Sequence, residues 1–195
     1  MDEIKKLGKL LKKPLFQAKE AREVGVSASL LSYYVKKGLL ERIDRGVYRG
    51  KESELDVDFR WEDLVLVAKS IPKGVVCLIS ALELYELTEE IPRAHWIAVP
   101  NEMKAPKRKG AKIVRLRNMS LGKSKIKIGG ETVSIFDRER TIVDSFRYLG
   151  KETAIKALKM SLSKKGDEKI DLKKLQDYAK KLRVDIRPYI LAVTT

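Results

Sequence analysis

A glycine at position 25 lies between two short runs of helical periodicity, and a glycine-containing hairpin signal follows them; together these leave the first fifty residues few ways to fold. The spacing predicts a helix over residues 17–24, with Ala18, Ala21 and Val24 on one side. Gly25 stops it, as a glycine just past a last helical turn commonly does. Val26 then anchors the turn, and the Ser27 hydroxyl caps a second helix over 28–37 that turns Leu31, Tyr34 and Val35 inward. Ala21 is small where two helices must touch, and Val24, Val26, Leu31 and Tyr34 are expected to lock them. Glu20 stands where an apolar residue would be usual, so Leu15 or Phe16 is expected to fill that space. Upstream, Ile4, Leu7, Leu10 and Leu11 mark a lysine-rich helix over 2–12 that Pro14 ends. Downstream, 40–43 and 47–49 read as strands joined at Asp44-Arg45-Gly46. Helix, glycine turn, helix and hairpin make a winged helix-turn-helix, expected over residues 1–50.

The chemistry of such a module follows from the side chains it leaves outside. Ser27, Ser29, Ser32, Tyr33, Lys36 and Lys37 fall on the outer side of the second helix, where hydroxyls and amines suit base edges and phosphates in a major groove. The hairpin offers Arg42, Arg45 and Arg49 to the backbone or the minor groove. A winged helix used only for protein contacts is the alternative, but residues 1–50 carry a net charge of +6. The whole chain of 195 residues carries +15, and that excess is segregated: 51–103 is acidic, 104–128 holds ten cations and no acid, and 150–195 is again +6. Separate cationic surfaces point to a long polyanion, double-stranded DNA, rather than a small anion.

Residues 51–58 are polar and poorly periodic, a linker to a second domain over 59–195. There the pattern predicts helices over 61–70, after Ser80 as a cap, over 137–148, over 153–163 and over 171–182, and another segment after Pro188. It predicts strands over 95–99, 113–117, 125–128 and 131–135, the last two joined at Gly129-Gly130. The expected fold class is α+β, an N-terminal winged helix-turn-helix followed by a mixed α/β domain that ends in helices. One cysteine, Cys77, excludes a disulfide framework and a cysteine zinc site; one histidine, His95, argues against His-rich metal sites. No cofactor and no metal are expected. With no apolar run of about twenty residues and no signal-peptide pattern, a cytoplasmic protein without membrane contact is expected.

The segments GVVCLISALELYELTEEIPRAHWIAVP and FDRERTIVDSFRYLG, with GVYRG at the end of the hairpin, resemble the AbiEi family, over about residues 14–160. The resemblance implies the antitoxin of a type IV abortive-infection toxin–antitoxin pair, active in phage defence. It implies an N-terminal winged helix that represses its own operon, and a C-terminal domain with antitoxin activity. The partner it implies is a nucleotidyltransferase-like toxin encoded beside it and opposed without a stable complex. Two copies are expected on inverted repeats of the protein's own operator.

Two further segments are candidate sites. Alternation in 104–127 sets Ile113, Val114 and Leu116 partly inward, and Lys112, Arg115 and Arg117 outward; with Lys104, Lys107, Arg108 and Lys109 they form an expected second phosphate-contacting surface. Arg140, Asp144 and Arg147 share a helix face and, with Arg138, form either a set of salt bridges or an antitoxin surface. A stand-alone regulator without a toxin and, less favoured, a DNA-targeted nuclease are the alternatives. The second needs carboxylates and a lysine clustered at a strand end, and no acid-x-Lys pair follows Glu131 on its strand. No enzymatic activity is expected.

Overall fold

Short helices broken by glycine and proline, and strands of two to six residues, are what the sequence pattern allows, and the chain folds as a mixed α+β protein with two sheets. The computed structural model describes residues 3–53 and 55–194; Asp2 of the expected first helix and Glu54 of the expected linker lie outside them. The chain divides into two compact units, Met1–Pro72 with Lys127–Thr132, and Lys73–Ile126 with Val133–Thr195. The polar stretch 51–58 and the helix after it therefore group with the first unit.

In the first unit the expected helix over 2–12 is two short ones, α1 (Glu3–Lys6) and α2 (Gly8–Leu11). Gly8, a poor helix residue, sits at the break, and Leu7 beside it is wholly buried. A strand that the periodicity did not show follows, β1 (Phe16–Gln17), antiparallel to β3 (Val47–Gly50) in the order β1-β3-β2 with β2 (Leu40–Asp44). Its register pairs Phe16 with Tyr48, whose rings stack at 6.0 Å. Phe16 thus fills the space left by Glu20.

The carboxylate of Glu20 does something else. Gln17 caps α3 (Ala18–Glu23), and Glu20 Oε2 accepts from the Gln17 amide at 2.7 Å, the reciprocal arrangement of a capping box. Glu20 Oε1 also pairs with Lys13 at 2.6 Å. Burial alone would raise the Glu20 pKa, but the bonds from Lys13 and the Gln17 amide outweigh it and hold the carboxyl below its usual value. Gly25, at φ +82, makes the turn that an L side chain resists, and the Val26 amide returns to Ala21 O at 2.9 Å. Ser27 caps α4 (Ala28–Lys36) by accepting from the Leu30 amide.

Ala21, Val26, Leu31 and Tyr34 are buried with Leu7, Leu10, Phe16, Leu40 and Tyr48 in one core. Val24 is a correction: it is the C-cap of α3, 39% exposed, because the chain is already leaving the helix there. After the hairpin, α5 (Phe59–Ser70) is capped by Asp58 through the Arg60 amide at 2.8 Å.

The second unit holds the larger sheet, in the order β6-β5-β4-β8-β7. Its strands are β4 (Val75–Val76), β5 (His95–Pro100), β6 (Ala111–Leu116), β7 (Lys123–Ile128) and β8 (Glu131–Phe136). β4 runs antiparallel to β5 and parallel to β8, and β5 runs parallel to β6. Between β4 and β5 lies α6 (Leu78–Leu84). Ser80 is inside α6, not its cap; its buried hydroxyl accepts from the Trp96 amide at 2.9 Å and so satisfies a strand donor. Then come α7 (Arg138–Tyr148), α8 (Lys151–Ser163), α9 (Leu172–Leu182) and α10 (Arg187–Thr194). Ile142, Val143, Ala157, Leu158, Leu175 and Ile190 join these helices in one core, while Cys77, Leu78, Ala98, Leu116 and Phe136 form another. Among the described residues, no helix is long and apolar enough to cross a membrane.

The Gly129-Gly130 turn shows why those residues are glycines. Gly130 N donates to Asp56 O at 2.6 Å, Gly129 has φ +57, and a Cβ on Gly129 would collide with the Asp56 carbonyl. Replacing Gly129 with alanine combines strain with a backbone clash and is expected to lower stability by about 2 kcal/mol, read as a shifted midpoint in urea unfolding.

Candidate nucleic-acid interface

With Leu31 and Tyr34 buried, α4 presents Ser29, Ser32, Tyr33 and Lys36 to solvent, with Lys37 just beyond its end. These positions correspond to the outer face expected from the spacing. Their hydroxyls are partly committed. Ser27 and Ser29 bond each other at 2.9 Å, and Ser32 Oγ donates to Ala28 O at 3.0 Å. Tyr33 is 51% exposed, its ring edge-on to Tyr34 and 5.7 Å from the Lys37 ammonium.

The hairpin separates its three arginines. A bulge between Arg42 and Asp44 tightens the turn, and the Ala18 amide holds Gly46 O at 2.9 Å. Arg42 and Arg45 are exposed; Arg42 Nε reaches Asp44 O at 3.4 Å, and the Arg45 amide donates to Asp44 Oδ1. Alternation along β2 puts Arg42 on the same sheet face as buried Leu40, opposite Glu41. Arg49 lies elsewhere than the sequence suggests. Its Nε and Nη2 donate to Ser53 O at 3.1 and 2.6 Å, and Nη1 pairs with Glu62 at 3.0 Å, leaving 17% of the side chain exposed. Ser53 Oγ in turn donates to Lys13 O. Arg49 is thus a tie within the first unit, joining hairpin to α5, and Glu62 and Ser53 are partners that the spacing gave no means of finding.

Residues 10–49 match the AbiEi family model, described as transcriptional regulator, AbiEi antitoxin. The matched segment runs from the end of α2 through α3, α4 and β2 into β3, so it covers the outward face just described. It bears out the resemblance on about a fifth of the chain and does not reach the two motifs of the second unit. No curated protein matches the chain.

In the second unit the basic block is not one row. Lys104, Lys107 and Lys109 are exposed, and Arg108 is half-buried with Nη1 on Lys107 O at 3.3 Å. On β6, Lys112 shares a face with Val114 and buried Leu116 and lies 3.7 Å over the Trp96 ring, while Arg115 points to the other face. Lys112, Arg115 and Arg117 are all exposed, as expected, but the pleat puts Lys112 and Arg115 on opposite faces, so they do not form one row. Moreover β6 and β7 are opposite edges of the sheet, so Lys123 and Lys125 are separated from Lys112 by three strands.

Arg140 and Asp144 form no surface. Both are almost wholly buried, Arg140 Nε meets Asp144 Oδ2 at 2.6 Å, and Arg140 Nη1 donates to Asn118 O and Leu121 O at 3.0 and 2.9 Å. Arg147 completes Asp144 at 2.8 Å, and Asp137 caps α7 through the Arg140 amide. Arg138 stacks over Tyr85 at 4.9 Å and reaches Asp167 O at 3.3 Å. Burial first, and then the charge of Asp137, push the Tyr85 hydroxyl up to about 12; it donates to Phe136 O. Burial likewise pushes the Cys77 thiol up, so it stays protonated and inert. Among the described residues, no group of three or more His, Cys, Asp or Glu is placed to hold a metal ion.

Removing Arg140 strands a buried carboxylate. Arg140→Ala is expected to cost about 3–5 kcal/mol in chemical unfolding, whereas Arg147→Ala, whose side chain is partly solvated, costs about 1 kcal/mol or less.

Proposed function

We propose that this protein is a transcriptional regulator that binds duplex DNA through a winged helix-turn-helix, with α4 in the major groove and the β2–β3 hairpin as the wing. The observation that carries the reading is the coincidence of the family match over 10–49 with a helix, turn, helix and hairpin whose outer face holds Tyr33, Lys36 and Lys37. The helix presents few charges of the wrong sign: between Ala28 and Lys37 there is no acid. Cationic contacts to the duplex would come from Lys36 and Lys37 on α4 and from Arg42 and Arg45 on the hairpin.

In this reading the target is the protein's own operator, bound as two copies on inverted repeats and repressed by occupancy. The protein serves as the antitoxin of a type IV pair, with a nucleotidyltransferase-like toxin as its functional partner, and the second unit supplies the antitoxin activity. The loop at Lys104, Lys107, Arg108 and Lys109 is assigned a separate backbone contact, because it is cationic, exposed for most of its length and free of acids.

The deciding experiment is a gel-shift titration on DNA from upstream of the gene, at several salt concentrations and against random duplex. Specific binding about a thousandfold tighter than random supports an autorepressor and justifies co-expression with the adjacent gene; equal binding to both duplexes removes it. Replacing Lys107, Arg108 and Lys109 with alanine is expected to weaken both kinds of binding and to flatten the salt dependence by about one unit of slope per lost contact. Unchanged slopes would make that loop an ordinary solvated one.

A further inference from the structure

Resting on the duplex-binding reading above, we infer that selectivity lies mainly in the wing, where Arg42 and Arg45 read an A·T-rich, narrow minor groove. The helix and its C-cap, ASLLSYYVKK, contain no Asn or Gln to pair with an adenine edge and no Arg fork for guanine, leaving the flexible Lys36 and Lys37 for guanine edges. Its hydroxyls are also partly committed before DNA arrives. Ser32 gives its proton to Ala28 O, Ser27 accepts from the Leu30 amide, and one proton of the Ser27–Ser29 pair is spent between the two. What remains is the exposed Tyr33 ring, suited to a thymine methyl, and the ammonium groups of Lys36 and Lys37, the latter set over that ring. That is a thin set of major-groove readers.

The wing is better equipped. Arg42 and Arg45 are exposed, and neither forms an ion pair among the described residues, whereas Arg49 is engaged by Ser53 and Glu62. Arg42 lies in β2 and Arg45 in the turn after it, and the bulge in β2 and the bond from the Ala18 amide to Gly46 O fix this hairpin, which presents the two guanidinium groups. Planar, weakly hydrated guanidinium groups are favoured in narrow minor grooves, where A·T tracts deepen the negative potential; an ammonium loses more hydration there. Glu41 lies on the opposite sheet face from Arg42 and does not oppose it.

The test uses the full chain and duplexes that it selects from a random library. A·T pairs are expected at the position covered by the wing, and replacing them with G·C weakens binding about tenfold or more. Inosine·cytosine at the same place restores binding, since it lacks the guanine amino group in the minor groove but keeps the G·C pattern in the major groove. Arg42→Lys with Arg45→Lys keeps the charge but not the planar guanidinium, so binding to the A·T duplex falls about tenfold, binding to random duplex falls by less, and the A·T preference disappears. Inosine pairs that behave like G·C, or a preference that survives in the lysine variant, would overturn the inference. Duplex binding without any A·T requirement also removes it and leaves the proposed function standing; no duplex binding at low salt removes both.

Discussion

A guanidinium cut off from water must find its partners inside the protein, and Arg140 finds them at a point where three segments meet. Its charge is met by Asp144, its Nη1 hydrogens by the carbonyls of Asn118 and Leu121, and its face by the Phe136 ring at 4.6 Å. Those bonds fix the loop between β6 and β7 against α7. The consequence is visible at Gly122, where a Cβ would run into Arg140 and Asp137. Asp137 then serves twice, as the cap of α7 and as the acceptor for Tyr178 and Lys174 on α9. The buried cation thus holds the loop, while Asp137, which accepts from the backbone amide of the same arginine, sets the start of α7 and the docking of α9. A buried pair of this kind is costly to assemble and contributes more to a unique arrangement than to net stability.

The first unit is held by smaller means. Glu20, which looks misplaced in the apolar pattern, closes a capping box and pairs with Lys13, so its polarity helps to start a helix. Ser53, Arg49 and Glu62 extend the same kind of connection from the hairpin to α5. These bonds draw one of three hairpin arginines into the unit's own framework and leave the other two exposed. The division of labour between structural and exposed cations is therefore set by where acids and carbonyls happen to lie, not by residue type.

How much of this was legible depended on whether the signal was local. Gly25, Ser27, Gly46 and Asp137 each announce a turn or cap within four residues; the first three mark the helix–turn–helix–hairpin order and the last the start of α7. Two-residue strands carry no periodicity, so β1 was invisible until Phe16 paired with Tyr48. The burial of Arg140 and Asp144 was open in the sequence because i, i+4 spacing is the same for a solvent-exposed pair and a buried one. Only tertiary packing distinguishes them. Gln17 and Glu20, by contrast, have the spacing of a capping box, which was a readable signal.

Sheet order has the strongest effect on the basic block. Ten cations in twenty-five residues look like one surface when the chain is read as a line. Parallel pairing of β6 with β5, and placement of β7 beside β8, send the two halves of that line to opposite edges, and the pleat turns Lys112 and Arg115 to opposite faces. Charged edges are also what keeps exposed strands from pairing with other chains. The cations of β6 and β7 therefore have a sufficient role in protecting the sheet edges. The backbone contact proposed for this block therefore falls on the loop before β6, where Lys104, Lys107 and Lys109 are exposed and no strand edge needs protection.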